Sequence, residues 1–180
     1  MKKFVKSFAL VMLALVGLVG LTSCGKYNFY KDWTEAGAEL EKGEHVFEAL
    51  TLEEAKAKIE AKETFALVIG TSQSSTAVHS ITTLQSQADY LGYEGKVYFV
   101  DSTDYIELRS TRDELKSALG IKKLSNLSTA DLIVVTYYEG VVKLDTSDSN
   151  SEMLEFFQSE YSTLSMEAIA YYLYRDFNQK

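Results

Sequence analysis

Cys24 is the only thiol in 180 residues, so thiolate chemistry in this chain has a single address. A disulfide needs two cysteines and a thiolate zinc cage needs several; neither can form within one copy. His45 and His79 are the only imidazoles. Ser75 and His79 stand four apart, the spacing that places two side chains on one helix face. A serine beside a histidine can act as nucleophile and base, with Asp89 or Asp101 as the orienting acid. Hydrolases usually raise that serine on a strained elbow flanked by glycines, and Thr71 to Ala77 contains no glycine. The sequence therefore favours helix capping by Ser72 or Ser74, a surface or partly buried His79, and no catalytic residue. Asp145-Thr146-Ser147-Asp148-Ser149-Asn150 offers ligand-like oxygens but lacks the glycine turn and distal glutamate of a calcium loop. It reads as a solvated loop, and no metal or cofactor is expected. Exposed amides at the Ser74 helix start suit an anion, which the net negative charge opposes.

The setting of Cys24 gives it a use. Met1 to Lys6 is basic, and Phe8 to Leu21 is uncharged and mostly apolar, the pattern of a secretion signal. The apolar run is shorter than the roughly 20 residues a membrane-crossing helix needs. Leu21-Thr22-Ser23-Cys24 resembles the lipobox of bacterial lipoproteins. The resemblance implies a diacylglyceryl group on the Cys24 sulfur, cleavage after Ser23, and an acylated (palmitate-type) amino terminus. Residues 1–23 would be signal peptide, and the mature chain would be a lipid-anchored protein on the extracytoplasmic side of the cell membrane. Two acyl chains on one residue supply the two signals that stable attachment requires.

Cleavage would leave 157 residues, enough for one domain, and loss of Lys2, Lys3 and Lys6 leaves 15 basic against 26 acidic residues, a net charge of −11. Such a surface repels nucleic acid and anionic lipid headgroups. With 46% apolar residues, 12 tyrosines and 9 phenylalanines the composition is that of a globular chain rather than a disordered one.

The elements that must position these residues follow in order. Residues 24–43 read as a tether leading into a domain over 44–180, although Tyr27, Phe29, Tyr30 and Trp33 make it aromatic enough to pack on something. His45 to Leu50 is a short strand. Thr51-Leu52-Glu53-Glu54 is a capping box opening a helix to about Lys62. Phe65 to Ile69, closed by Gly70, is an apolar run of the kind buried on both faces in a central parallel position. A polar stretch then opens a helix bearing Ile81, Leu84, Ala88 and Leu91, ended by Gly92 and Gly95. Lys96 to Val100 is a strand, and Thr111 to Glu114 a second capping box for a helix stopping at Gly120. Leu132 to Tyr137 and Val141 to Leu144 flank Tyr138-Glu139-Gly140 as an antiparallel hairpin. Helices over Ser151 to Tyr161 and Ser165 to Phe177 complete the chain.

This order resembles the thioredoxin fold, a three-layer α/β sandwich with a mixed central sheet and helices on both faces. The resemblance covers roughly His45 to Phe177. Phe65 to Gly70 is similar to the strand that leads into the family's active-site loop, particularly in secreted proteins of the bacteriocin-transport-accessory type, and Leu132 to Leu144 is similar to its hairpin. The family's paired cysteines fall where this chain has Ser74, Ser75, Thr76 and Ala77. Its cis-proline falls near Ser128-Thr129-Ala130-Asp131, in a chain with no proline. A serine hydroxyl cannot perform thiol–disulfide exchange, so the resemblance implies a redox-inactive, non-enzymatic module.

The expected function is binding of an unidentified extracytoplasmic protein or peptide on the surface where the family grips extended substrate by strand pairing. The alternatives are a hydrolase using Ser75 and His79, and a small-ligand-binding lipoprotein, whose usual two-lobed cleft one domain lacks. Tyr171, Tyr172 and Tyr174 cannot all lie on the helix face set by Ile169, Leu173 and Phe177. With Trp33 they are expected to form an aromatic interaction surface.

Overall fold

The computed structural model describes residues 27–121, 132–148 and 165–177. Cys24, the Ser128–Asp131 neighbourhood and the Ser151–Tyr161 helix expected from the sequence lie outside them.

The sheet is built around Phe65–Gly70 (β2), whose six residues are all buried. On one side β2 runs parallel to Val97–Asp101 (β3), and on the other antiparallel to Ile133–Tyr138 (β4). The central position expected of it is observed; the parallel expectation holds only for the β3 side, because the hairpin enters antiparallel. Phe47–Ala49 (β1) lies parallel along the outside of β3, and Val141–Asp145 (β5) antiparallel along β4, giving the order β1-β3-β2-β4-β5.

Because successive side chains on a strand point to opposite faces, β2 serves two cores. Ala66 and Val68 face one, where Trp33, Ile81, Leu84, Phe99 and Leu173 pack. Leu67 and Ile69 face the other, with Leu52, Ala55, Leu115, Leu119 and Tyr137. The helices over Phe29–Glu35 (α1), Ser75–Leu91 (α3) and Met166–Tyr171 (α5, continuing as a π-helical turn over Tyr172–Phe177) cover the first face. Those over Leu52–Glu60 (α2) and Arg109–Leu119 (α4) cover the second. This is the thioredoxin-like three-layer sandwich.

The end signals explain most boundaries. At α2 both halves of the capping box form: the Thr51 hydroxyl accepts from Glu54 N–H at 3.2 Å and the Glu54 carboxylate from Thr51 N–H at 2.8 Å. Ser74 caps α3 through Ala77 N–H at 3.3 Å, and Gly92, at φ 61°, ends it in the left-handed region. The second capping box does not form. Helix α4 starts earlier, at Arg109, and the Thr111 hydroxyl, already inside the first turn, donates back to the Leu108 carbonyl at 2.9 Å. The β4–β5 turn has positive φ at both Glu139 (51°) and Gly140 (76°), the twist that suits a two-residue hairpin. It is clamped to the α2–β2 connection, Gly140 N–H donating to Glu63 O at 3.0 Å and Glu139 N–H to Thr64 Oγ1 at 3.1 Å.

Two expectations need correction. Much of the segment expected as a tether is part of the domain: α1 buries Phe29 and Trp33, which stack on each other at 5.6 Å and meet Phe99 edge-on. Large flat rings gain more by covering β1 and β3 than by hydration. The start of the loop at Asp145 is not solvated either. Thr146 extends the sheet ladder by exchanging hydrogen bonds with Val134, and Asp145 and Asp148 are both 3% exposed.

Candidate functional site

In open α/β sheets, ligands meet the protein beyond the carboxyl ends of the parallel strands, where loops leave for opposite faces. Here that edge is marked by the last pair of the β2–β3 register, Gly70 with Asp101, and by Ser102 N–H donating to Gly70 O at 2.9 Å. The chain after β2 turns through Thr71-Ser72-Gln73 into α3. The chain after β3 turns through Ser102 and a short 3-10 helix over Thr103–Tyr105 toward α4.

Hydroxyls tie the two turns together. Thr103 gives both its N–H (3.0 Å) and its O–H (2.7 Å) to Asp101 Oδ1, a side-chain turn of the kind Asp favours. With that proton committed, Thr103 Oγ1 accepts from the Thr71 hydroxyl at 2.8 Å, and Thr71 Oγ1 accepts from Gln73 N–H at 3.3 Å. The result is a directional chain from Gln73 through Thr71 and Thr103 to the Asp101 carboxylate. Burial pushes the Asp101 carboxyl above its usual range, the Thr103 hydrogen bonds oppose this, and Asp104 and Asp32 add to the rise.

Tyr27 closes the edge from the α1 side. Its ring stacks on Phe99 at 5.8 Å. Burial, then the Asp101 and Asp32 carboxylates, push its hydroxyl far above the usual tyrosine value. The nearby Trp33 indole N–H acts in the opposite sense without reaching hydrogen-bond geometry. The Tyr27 and Ser102 hydroxyls are both buried without a partner among the described residues.

The residues singled out from the sequence divide sharply. Ser74 is the α3 cap, Ser75 and Thr76 are exposed on the first turn, and Ala77 is buried beneath them at 1% exposure. His79 is exposed one turn further on. Asp89 lies ten residues along the same helix, about 15 Å away at 1.5 Å per residue, where it accepts from Gln85 at 2.8 Å. Asp101 is committed to Thr103. The described contacts therefore assemble no serine–histidine–acid group. His79 instead adds a small attraction for Glu167, whose carboxyl is held below its usual range chiefly by its own backbone N–H and the Ser165 hydroxyl. His45 sits among Phe29 (5.4 Å) and Tyr30 (6.2 Å), with burial lowering its pKa.

The aromatic surface expected from Trp33, Tyr171, Tyr172 and Tyr174 does not exist as such. Trp33 is 0% exposed, and Tyr174, at 6%, packs against Tyr93 with ring centroids 4.6 Å apart. Tyr171 and Tyr172 are half-buried, Tyr171 with the Arg175 guanidinium 5.0 Å from its ring. Of the rings that cannot share one helix face, Tyr174 finds cover from Tyr93, just beyond the end of α3. Among the described residues the most exposed aromatic is Tyr90, at 83%, which the helix-face argument passed over. The Asp101–Thr103–Thr71 chain was also missed. Its signal is the polar run Asp101-Ser102-Thr103-Asp104 directly after a buried strand, with threonine two residues after aspartate.

Among the described residues no three His, Cys, Asp or Glu side chains converge on a point that could hold a metal. No described helix is long and apolar enough to cross a membrane. Comparison with family models and with curated proteins gives no match.

Proposed function

We propose that this chain is a lipoprotein, anchored through Cys24 on the extracytoplasmic side of the cell membrane, whose thioredoxin-like domain binds a protein or peptide and has no redox activity. One observation carries the reading: the first turn of α3, following the carboxyl end of β2, where redox members of this fold present thiols, presents the Ser75 and Thr76 hydroxyls over a buried Ala77. Exposed hydroxyls can exchange hydrogen bonds with an extended backbone, but they cannot attack sulfur.

For the hydrolase alternative, the one carboxylate felt by His79 among the described residues is Glu167, which is held chiefly by its own backbone N–H and the Ser165 hydroxyl, and a solvent-exposed Ser75 lacks the strained turn that makes a serine nucleophilic.

Metabolic labelling with palmitate tests the anchor. Wild type should carry label and Cys24→Ser should not; label persisting in the variant would exclude Cys24 as the lipid site. A disulfide-reduction assay on the purified protein tests the domain, and protein-dependent turnover above background would refute a binding-only role.

A further inference from the structure

We propose that the short link between Cys24 and the fold holds the carboxyl edge of the parallel strands close to the bilayer surface, so that the Thr71–Thr76 loop meets an extended juxtamembrane segment of a membrane-embedded protein. The inference rests on the lipid-anchor reading and adds an orientation to it.

The fold begins almost at once after the anchor. Asn28 caps α1, its side chain accepting from Lys31 N–H at 3.1 Å, and Phe29 is already 4% exposed. Tyr27 stands three residues from Cys24, so a fully extended link spans at most about 11 Å at 3.6 Å per residue. Where Tyr27 sits then decides which part of the domain is held near the lipid. Its ring lies on Phe99, two residues before the end of β3, and its hydroxyl feels the Asp101 and Asp32 carboxylates. Asp101 is joined through Thr103 to Thr71. Chain entry, Asp101 and the loop after β2 thus share one edge.

The opposite edge is a strand length away, roughly 20 Å for six residues. Glu94, three residues before β3 begins, and Glu139, at the hairpin turn, belong to it. Electrostatics would not choose this placement. Asp32, Asp101 and Asp104 crowd the anchored edge, and anionic headgroups repel them. The constraint is covalent, and lengthening the link should release it. That upper bound of about 11 Å is also the diameter of one helix with its side chains. It excludes a folded soluble domain and admits a single segment emerging from the bilayer.

Lipidated full-length protein in vesicles of phosphatidylcholine with a minority of anionic lipid provides the test. Acylated Cys24 is a thioether, so Gln73→Cys and, separately, Glu94→Cys each carry one reactive thiol; both positions are exposed. A fluorophore at position 73 should be quenched several-fold more than one at 94 by headgroup-spin-labelled lipid. A 12-residue Gly/Ser insert between Gly25 and Lys26, with an r.m.s. reach of about 20 Å, should remove the difference. Equal quenching at the two positions, or a difference that survives the insert, overturns the orientation while leaving the anchor intact. Palmitate labelling of the same samples separates the two, since an unlabelled chain overturns both. A photo-crosslinker at Gln73 in native membranes should capture an integral membrane protein; capture of soluble proteins alone overturns the choice of partner.

Discussion

Replacing Trp33 by alanine tests whether the amino-terminal segment is part of the domain or a tether to it. The indole is 0% exposed and packs against both Phe29 and Phe99, at 5.6 and 5.4 Å. Truncating a fully buried tryptophan removes transfer free energy and leaves a cavity, a loss of about 3–5 kcal/mol. A solvated tether residue would change stability by less than about 0.5 kcal/mol. For a domain of this size each kcal/mol shifts Tm by about 2–4 °C, so a fall of roughly 6–20 °C is expected. Circular dichroism is the appropriate probe, because Trp33 is the only tryptophan and the variant has no indole signal. Trp33→Phe should lose much less. It keeps a ring against Phe99 and deletes an indole N–H that has no hydrogen-bond partner among the described residues, whose burial costs about 1–3 kcal/mol. In wild type the same isolation predicts a blue-shifted emission maximum that moves red on unfolding. A Trp33→Ala variant within about 1 kcal/mol of wild type, or a solvent-like emission from the native protein, would refute the packing of α1.

Asp101→Asn keeps an oxygen for both Thr103 hydrogen bonds but removes the charge. Because the folded carboxyl titrates above its unfolded value, Asp101 favours the fold only at low pH, and that contribution is lost as pH rises through the folded pKa. The variant should therefore be at least as stable as wild type at pH 7, with the advantage vanishing on acidification, as urea midpoints at the two pH values will show. His45→Phe acts in the other direction. Burial lowers the folded pKa, so wild type loses stability as pH falls below about 6.5, and the variant should flatten that part of a Tm-versus-pH curve. Gly140→Ala would place a methyl against the Ile59 carbonyl at a positive φ; a loss of about 1–3 kcal/mol in urea unfolding is expected.

Legibility from the sequence tracked how local the cause was. The Thr51–Glu54 box, the Ser74 cap, Gly92, Gly120 and the Glu139-Gly140 turn depend on neighbours within a few residues, and all appear where their chemistry placed them. So does β2, because an uncharged apolar run has few other fates. Thr111-Arg112-Asp113-Glu114 has equally good local credentials, yet α4 starts earlier, since the chain leaving the 3-10 turn is already helical at Arg109. The failures at Trp33 and Tyr174 are of another kind. Helical spacing tells which side chains share a face but not whether a neighbouring element covers the other face, and here Phe99 and Tyr93 do so. The Asp101–Thr103–Thr71 chain was hidden for the same reason: its links are 2 and 32 residues apart, and only the sheet brings them together.

The middle place of β2 also governs how the chain must be made. Phe65 pairs with Tyr137 and Ile69 with Ile133, so one side of the most apolar strand waits for partners more than 60 residues downstream. Long-range pairing of this kind makes folding slower than that of a helical bundle of similar size. During that interval Phe-Ala-Leu-Val-Ile-Gly is an uncharged, proline-free six-residue segment, the composition from which cross-β assemblies nucleate. Only Lys62 and Glu63 on one flank carry charge close by. Until its hairpin arrives, that strand is open to pairing with another copy of itself.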